Sequence, residues 1–180
     1  VTPQATLDWK IADGIYSYNE SVISNCSATG TSVVGLRVAD GGTMTGCSAV
    51  ANAGVGFSGT DGCTLTACSA VNNSGGGFSL GDGCTISQCS AASNAGSGIL
   101  AGSNSLISSC SVSANTADGI LVGGTSLVVG NQCRGTTAAN SAAMRVAGNF
   151  CRIEGNALSG AAVGLKVDGV SNLMVRNTAT

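Results

Sequence analysis

Gly81-Asp82-Gly83-Cys84-Thr85-Ile86-Ser87-Gln88-Cys89-Ser90 is one copy of a unit that returns along most of the chain. Upstream it reads Asp61-Gly62-Cys63-Thr64-Leu65-Thr66-Ala67-Cys68-Ser69, and the flanking copies end in Cys47-Ser48 and Cys110-Ser111. The second cysteine therefore advances by 21 residues at each step. A short fixed period predicts a solenoid, because a single repeat cannot bury an apolar face and must stack on its neighbours to do so.

Aligned on Cys63, the repeats resolve into columns. An apolar column lies two residues on and runs from Ile23 through Met44, Leu65 and Ile86 to Met174. Three residues further is a column of Cys26, Cys47, Cys68, Cys89 and Cys110, continued by Asn131, Asn156 and Asn177. The other half of each repeat sets a Gly before a large apolar residue, from Gly14-Ile15 to Gly164-Leu165, with Ala143-Met144 the one departure. Short alternating apolar runs bounded by Gly, Asn and Asp read as strands and tight turns. Three short strands per coil and about eight coils predict an all-β parallel β-helix spanning residues 1–180 as one domain, complete or as a segment of a longer protein. A leucine-rich repeat of this length would carry several Leu per unit.

Composition agrees with a thin core of small side chains: 180 residues hold 28 Gly, one Pro and no His. The net charge of −2 speaks against a general nucleic-acid binder. No apolar run approaches the length of a membrane span, and no charged-then-apolar leader is present. Charge is unevenly spread. Residues 1–120 set Lys10 and Arg37 against seven carboxylates, whereas residues 121–180 set five basic side chains against Glu154 and Asp168.

Spacing slips once. Ile120 to Met144 is 24 residues and Val128 to Ile153 is 25, which predicts a widened turn of about three extra residues within 134–142 and about one more before Cys151. Counting back one period from Ile23, Cys26 and Ala28 places Thr2, Ala5 and Leu7 on inward columns. Neither end shows a polar cap, so the ends are expected to meet flanking domains or other copies of the chain.

The repeats around Gly81–Ile99 and the closing stretch from Gly148 to Thr180 resemble right-handed parallel β-helix repeat proteins of bacteria, with the pectin-lyase-like fold. The resemblance implies export, and an inward Asn ladder at one bend, matched here by Asn131, Asn156 and Asn177 with Cys in the five earlier coils. It implies no single activity, because the same fold carries lyases, hydrolases, epimerases, spikes and adhesins.

Each column has a chemical reading beside a packing one. Stacked thiols pack as small hydrophobes; a disulfide between adjacent rungs, Cys63 with Cys84, is the alternative, although parallel Cβ vectors make poor geometry for it. With no His and no Cys-x-x-Cys pair, zinc is not expected. Asp40, Asp61 and Asp82, each followed by Gly, read as turn residues, and Ca²⁺ shared between them is the competing reading. Thr43, Thr45, Thr64, Thr66, Thr85 and Ser87 flank inward residues and project two hydroxyl rows that resemble the ice-binding faces of some antifreeze proteins; the rows break at Leu106 and Val129. The outward column beside the Gly-apolar run, from Tyr16 and Arg37 to Arg145 and Lys166, has no clustered acids, and Glu154 reads as a surface partner of Arg152. No catalytic residue, metal or cofactor is expected within the chain. The reading is a non-catalytic, extracellular or cell-surface structural solenoid that stacks head to tail. A polysaccharide-binding or polysaccharide-processing module with its active parts elsewhere is the alternative, and ice binding is third.

Overall fold

The computed structural model describes residues 6–7 and 13–180. Among these there is no helix, and the strands form three parallel sheets, one of nine and two of eight. Each strand pairs with the strands one coil before and after it: Leu65 lies beside Met44 and Ile86, Phe78 beside Phe57 and Ile99, Ala70 beside Ala49 and Ala91. The molecule is a parallel β-helix of about eight coils with three strands in each. The three faces are named by their outward residues or their pattern: a Ser sheet (Ser27, Ser48, Ser69, Ser90), a Thr sheet (Thr43, Thr64, Thr85) and a Gly-apolar sheet (Phe57, Phe78, Ile99). Thr2 and Ala5 lie outside the described residues, whereas Leu7 is in a strand paired with Ala28, one period on.

A three-residue strand such as Thr64–Thr66 or Thr85–Ser87 buries its middle side chain and turns the other two outward. The core is therefore a set of one-residue columns: Met44, Leu65, Ile86 and Ile107 are fully buried, as are Ala49, Ala70 and Ala91 opposite. Phe57 and Phe78 stack at 4.8 Å with an interplanar angle of 7°. The glycine before each large residue has a steric cause. A Cβ on Gly77 would stand 3.0 Å from Ala91 Cβ and 2.6 Å from Gly98 O, so the Gly-apolar sheet reaches the alanine column only without a side chain there.

The corners repeat as strictly as the strands. Each full coil bends at three residues in the left-handed region, for example Gly62, Ala67 and Asn72, then Gly83, Gln88 and Ser93. The residue after each bend points inward and meets its counterpart in the next coil. One such corner is an asparagine ladder, Asn52, Asn73, Asn94 and Asn115, begun by Thr31. Each amide nitrogen donates to the next amide oxygen at 2.9 Å and to a core carbonyl of the preceding coil, Asn73 Nδ2 to Ala49 O at 3.1 Å. These buried groups are thus satisfied within the core.

The register locates the spacing slip. Ala138 N donates to Thr116 O in the ordinary offset, but Ala142 N is the group that reaches Asp118, so the three added residues are Ala139, Asn140 and Ser141. They make a turn in which Ser141 Oγ donates to Thr136 Oγ1 and Ala138 O, both at 2.6 Å. One further residue lies between Val146 and Arg152.

Candidate functional site

The columns singled out by sequence are, in this structure, ladders between the coils. Cys47, Cys68, Cys89 and Cys110 are buried and Cys26 partly so. Their thiols donate to core carbonyls 24 residues back, Cys47 to Ile23 at 3.5 Å and Cys89 to Leu65 at 3.7 Å. Asn131 makes the same contact to Ile107 at 3.0 Å and Asn156 to Val128 at 3.0 Å, and Asn177 donates to Ile153 at 2.8 Å. Cysteine and asparagine thus do one job at one corner. Cys63 and Cys84 occupy the third corner as free thiols aimed at Ala39 O (3.3 Å) and Thr60 O (3.2 Å), with Ser105, Ser126, Cys151 and Asn172 continuing the column. Burial raises the Cys63 thiol pKa and pushes Cys84 up to about 11.

Asp40, Asp61 and Asp82 also act between rungs. Asp61 Oδ1 accepts Asp82 N–H at 2.8 Å, Asp82 Oδ1 accepts Ser103 N–H at 2.7 Å, and Asp40 accepts Asp61 N–H at 3.3 Å. Each carboxylate thereby caps a turn of the next coil. Among the described residues no group of three His, Cys, Asp or Glu is placed to hold a metal ion. The Thr rows stand in register from Thr43 and Thr45 to Thr85 and Ser87, with Thr66 and Ser87 hydroxyls 3.2 Å apart, and give way to Leu106 in the following coil.

The charged chemistry gathers instead on the last coils of the Gly-apolar sheet. Arg145 and Lys166 are neighbours on adjacent strands and both point outward. Arg145 Nε donates to Asp168 Oδ2 at 2.6 Å, Arg145 Nη1 lies 3.9 Å from Asp118 Oδ2, and Lys166 Nζ lies 3.8 Å from Asp168 Oδ1. Asp118 is buried and fixed by Ala142 N–H at 2.8 Å. The hydrogen bond from Arg145 lowers the Asp168 pKa, and the same bond raises that of Arg145. At the opposite end Asp13 accepts Val34 N–H at 3.3 Å and pairs with Arg37 at 3.4 Å, repeating the arrangement of Asp118, Ala142 and Arg145. Ser58, Ser79, Leu100 and Leu121 line the strip between.

Around the corner, on the Thr sheet, Glu154 accepts both Arg152 (2.6 Å) and Arg176, and these two bonds hold it below the usual carboxylate range. The outward column read from sequence carries no acids, yet Asp118 and Asp168 converge on it. They escaped notice because they lie just before and just after the strands rather than in the column. The recurrence of Asp-Gly-Ile at 13–15 and 118–120, each one coil before an outward Arg, was the available signal.

The family description "Right handed beta helix region" matches residues 51–180. The chain belongs to this family. No curated protein sequence matches this β-helix chain. Among solved structures, it is similar to the periplasmic alginate epimerase AlgG at 16% identity with a TM-score of 0.80, covering 93% of this chain and 47% of that one. It is similar to the A-module of mannuronan C-5 epimerase AlgE6 of Azotobacter vinelandii at 15% identity and TM-score 0.66, over 91% and 58% respectively. The Agl-KA catalytic domain matches at 10% identity and TM-score 0.53, over 94% and 45%. The β-helix chain thus spans about half the length of these structures, and at such identities the likeness is one of fold.

Proposed function

We propose that this β-helix is a polysaccharide-binding module that lies outside the cytoplasm and receives an anionic glycan along its Gly-apolar sheet. The observation that carries this reading is the placement of Arg145 and Lys166 on adjacent rungs, partly exposed, on the two strands of that sheet that follow the widened turn. Rungs advance by about 4.8 Å, comparable with the advance of one sugar unit along an extended glycan, so successive carboxylates can meet successive cations. Two structures of similar fold support the ligand class: they are named for alginate and mannuronan, whose sugars are uronates, and AlgG is periplasmic by name.

Recognition rather than bond-breaking is the chemistry these residues support. A general acid or base works best with a pKa near the operating pH, whereas Asp168 and Glu154 are pulled down by their arginine partners. The test is binding of oligomannuronate and of a neutral cello-oligosaccharide to the purified chain at several salt concentrations. Uronate binding that weakens with salt and falls about tenfold in Lys166→Gln is expected, one lost charged contact being worth about 1.4 kcal/mol. Absence of oligomannuronate binding, or equal binding of the neutral probe, overturns the proposal.

A second reading, a structural rod stacking head to tail, is favoured by the acidic residues 1–120 and the more basic residues 121–180, which set unlike charges at a junction. Light scattering over a range of salt distinguishes it, with a salt-insensitive monomer at high concentration as the contrary result.

A further inference from the structure

We propose that Phe150, with Val170 beside it, is a stacking platform for one pyranose ring of the bound glycan; this rests on the polysaccharide reading above. Phe57 and Phe78 are fully buried, whereas Phe150 is 67% exposed and Val170 66%. Phe150 also stands where the backbone disfavours it. Its φ is +59°, at a corner where the other coils place Glu20, Gly41, Gly62, Gly83, Asn104, Thr125 and Ser171. A bulky aromatic side chain in the left-handed region is an outlier among L residues. The coil path imposes that conformation at every copy of this corner, and here it brings the ring no burial in return.

The surroundings suit a sugar. The coil gains one residue between Val146 and Arg152 relative to the coil before it, and Phe150 sits in that enlarged corner. Asn149 Oδ1 accepts Val170 N–H at 2.7 Å, and Phe150 N–H donates to Val170 O at 3.3 Å, so the two apolar side chains are fixed on neighbouring rungs. Beside them the corner is glycine on glycine. A Cβ on Gly148 would stand 2.1 Å from Gly124 N and one on Gly169 2.0 Å from Gly148 O, so the backbones of successive coils pack closely at this corner, with the Asn149 side chain beside them. Arg152 opens the strand two residues after Phe150, and Arg145 lies in the strand before the corner, on the adjoining sheet. A pyranose presents an apolar C–H face to an aromatic ring and polar edges to cations on either side. An exposed aromatic and its Val neighbour, with the ion-paired Arg145 and Arg152 on the strands to either side of the corner, match one sugar ring better than a protein segment, which would need a larger apolar area.

The experiment uses the full chain with ring-labelled phenylalanine, oligomannuronate and cello-oligosaccharide as probes, and the variants Phe150→Asn and Phe150→Tyr. Asn is the residue of the equivalent corner at Asn104, so Phe150→Asn is expected to melt no lower than the parent while binding about tenfold more weakly. Phe150→Tyr retains binding. On titration the Phe150 ring resonances shift and those of Phe57 and Phe78 stay in place. Binding that leaves the Phe150 resonances unmoved, or that survives Phe150→Asn within twofold, overturns the platform while the polysaccharide reading stands. If neither probe binds the parent chain, both fall together.

Discussion

Replacing Asn73 by Ala removes the middle rung of the buried asparagine ladder, and the cost can be worked from its partners. Four hydrogen bonds go: Asn52 N–H and Asn52 Nδ2–H lose Asn73 Oδ1, while Ala49 O and Asn94 Oδ1 lose Asn73 Nδ2. Asn94 Oδ1 keeps the N–H of residue 73, and the Asn52 amide keeps its contact with Ala28 O. Asn52 N–H is left buried without that partner, at about 1–3 kcal/mol, and Ala49 O, inside the sheet ladder, loses one of its contacts at about 1 kcal/mol. The expected loss is about 3 kcal/mol, which in a domain of this size lowers Tm by about 6 to 12 °C. Guanidinium unfolding followed by far-UV circular dichroism measures it, with the midpoint falling at unchanged slope. Cys68→Ala is the comparison: its thiol donates only weakly, to Met44 O at 3.6 Å and Thr66 O at 3.4 Å, so a loss of about 1–2 kcal/mol is expected. A loss below about 1 kcal/mol for Asn73→Ala, or equal losses for the two variants, would refute the ladder as a principal restraint on coil stacking.

Thiol reactivity follows from burial. Eight of the nine thiols are buried and out of reach of a reagent, Cys26 alone being partly exposed, and burial also pushes Cys84 up to about 11 and Cys133 up to about 12; Ellman's reagent is expected to find little beyond Cys26 in the native chain and all nine thiols in guanidinium. Rapid native reaction of several thiols would contradict this. Acid acts through the two depressed carboxylates, Asp168 and Glu154. Their folded pKa values lie below the unfolded ones, so the stabilisation is complete above roughly pH 4–5 and lost as pH falls through the folded values. Being exposed pairs, they give a shallow, salt-sensitive decline in Tm, and a decline of equal size in Arg145→Gln would remove the cause assigned to it. Deleting Ala139–Ser141 restores the ordinary offset between Ala117 and the next coil and is expected to leave a cooperative fold, with Asp118 and Arg145 displaced and uronate binding reduced; unchanged binding would detach the charged cluster from recognition.

The coil was legible because its period is exact in the residues that face inward. Leu65, Ile86 and Ile107 recur every 21 residues with nothing polar among them, so strand, face and register follow together. The cysteine and Asn131–Asn177 column was equally plain. The ladder at Asn52, Asn73, Asn94 and Asn115 has the same spacing, yet it lies in runs of Ser, Asn, Ala and Gly that read as ordinary loop, and composition masked its periodicity. Corners show the same division. Gly41, Gly62 and Gly83 announce a left-handed residue, whereas Ala67, Gln88 and Phe150 have no such preference and adopt it because ladders on both sides hold the coil to one path. Where local preference and tertiary restraint disagree, the stack decides.

A regular solenoid has a difficulty as a binding surface: each outward column repeats, so one rung looks like the next and offers a ligand no particular place. The Ser and Thr columns show this uniformity over several coils. The pairing of an Asp with a backbone N–H and an Arg one coil on occurs twice, at Asp13, Val34 and Arg37 in the regular spacing and at Asp118, Ala142 and Arg145 across the added residues Ala139–Ser141, and at the second Asp168 of the coil beyond adds a further contact. Three successive coils thus supply one charge cluster that no single repeat contains. The extra residue before Arg152 falls in the corner of Phe150, whose exposed aromatic ring stands where other coils carry Glu, Gly, Asn, Thr or Ser. Both irregularities fall in one turn of the helix, on adjoining faces. If the proposed glycan binds there, the cations and the apolar platform would give it a direction as well as a location, and the repeats would supply the rigid spacing between them.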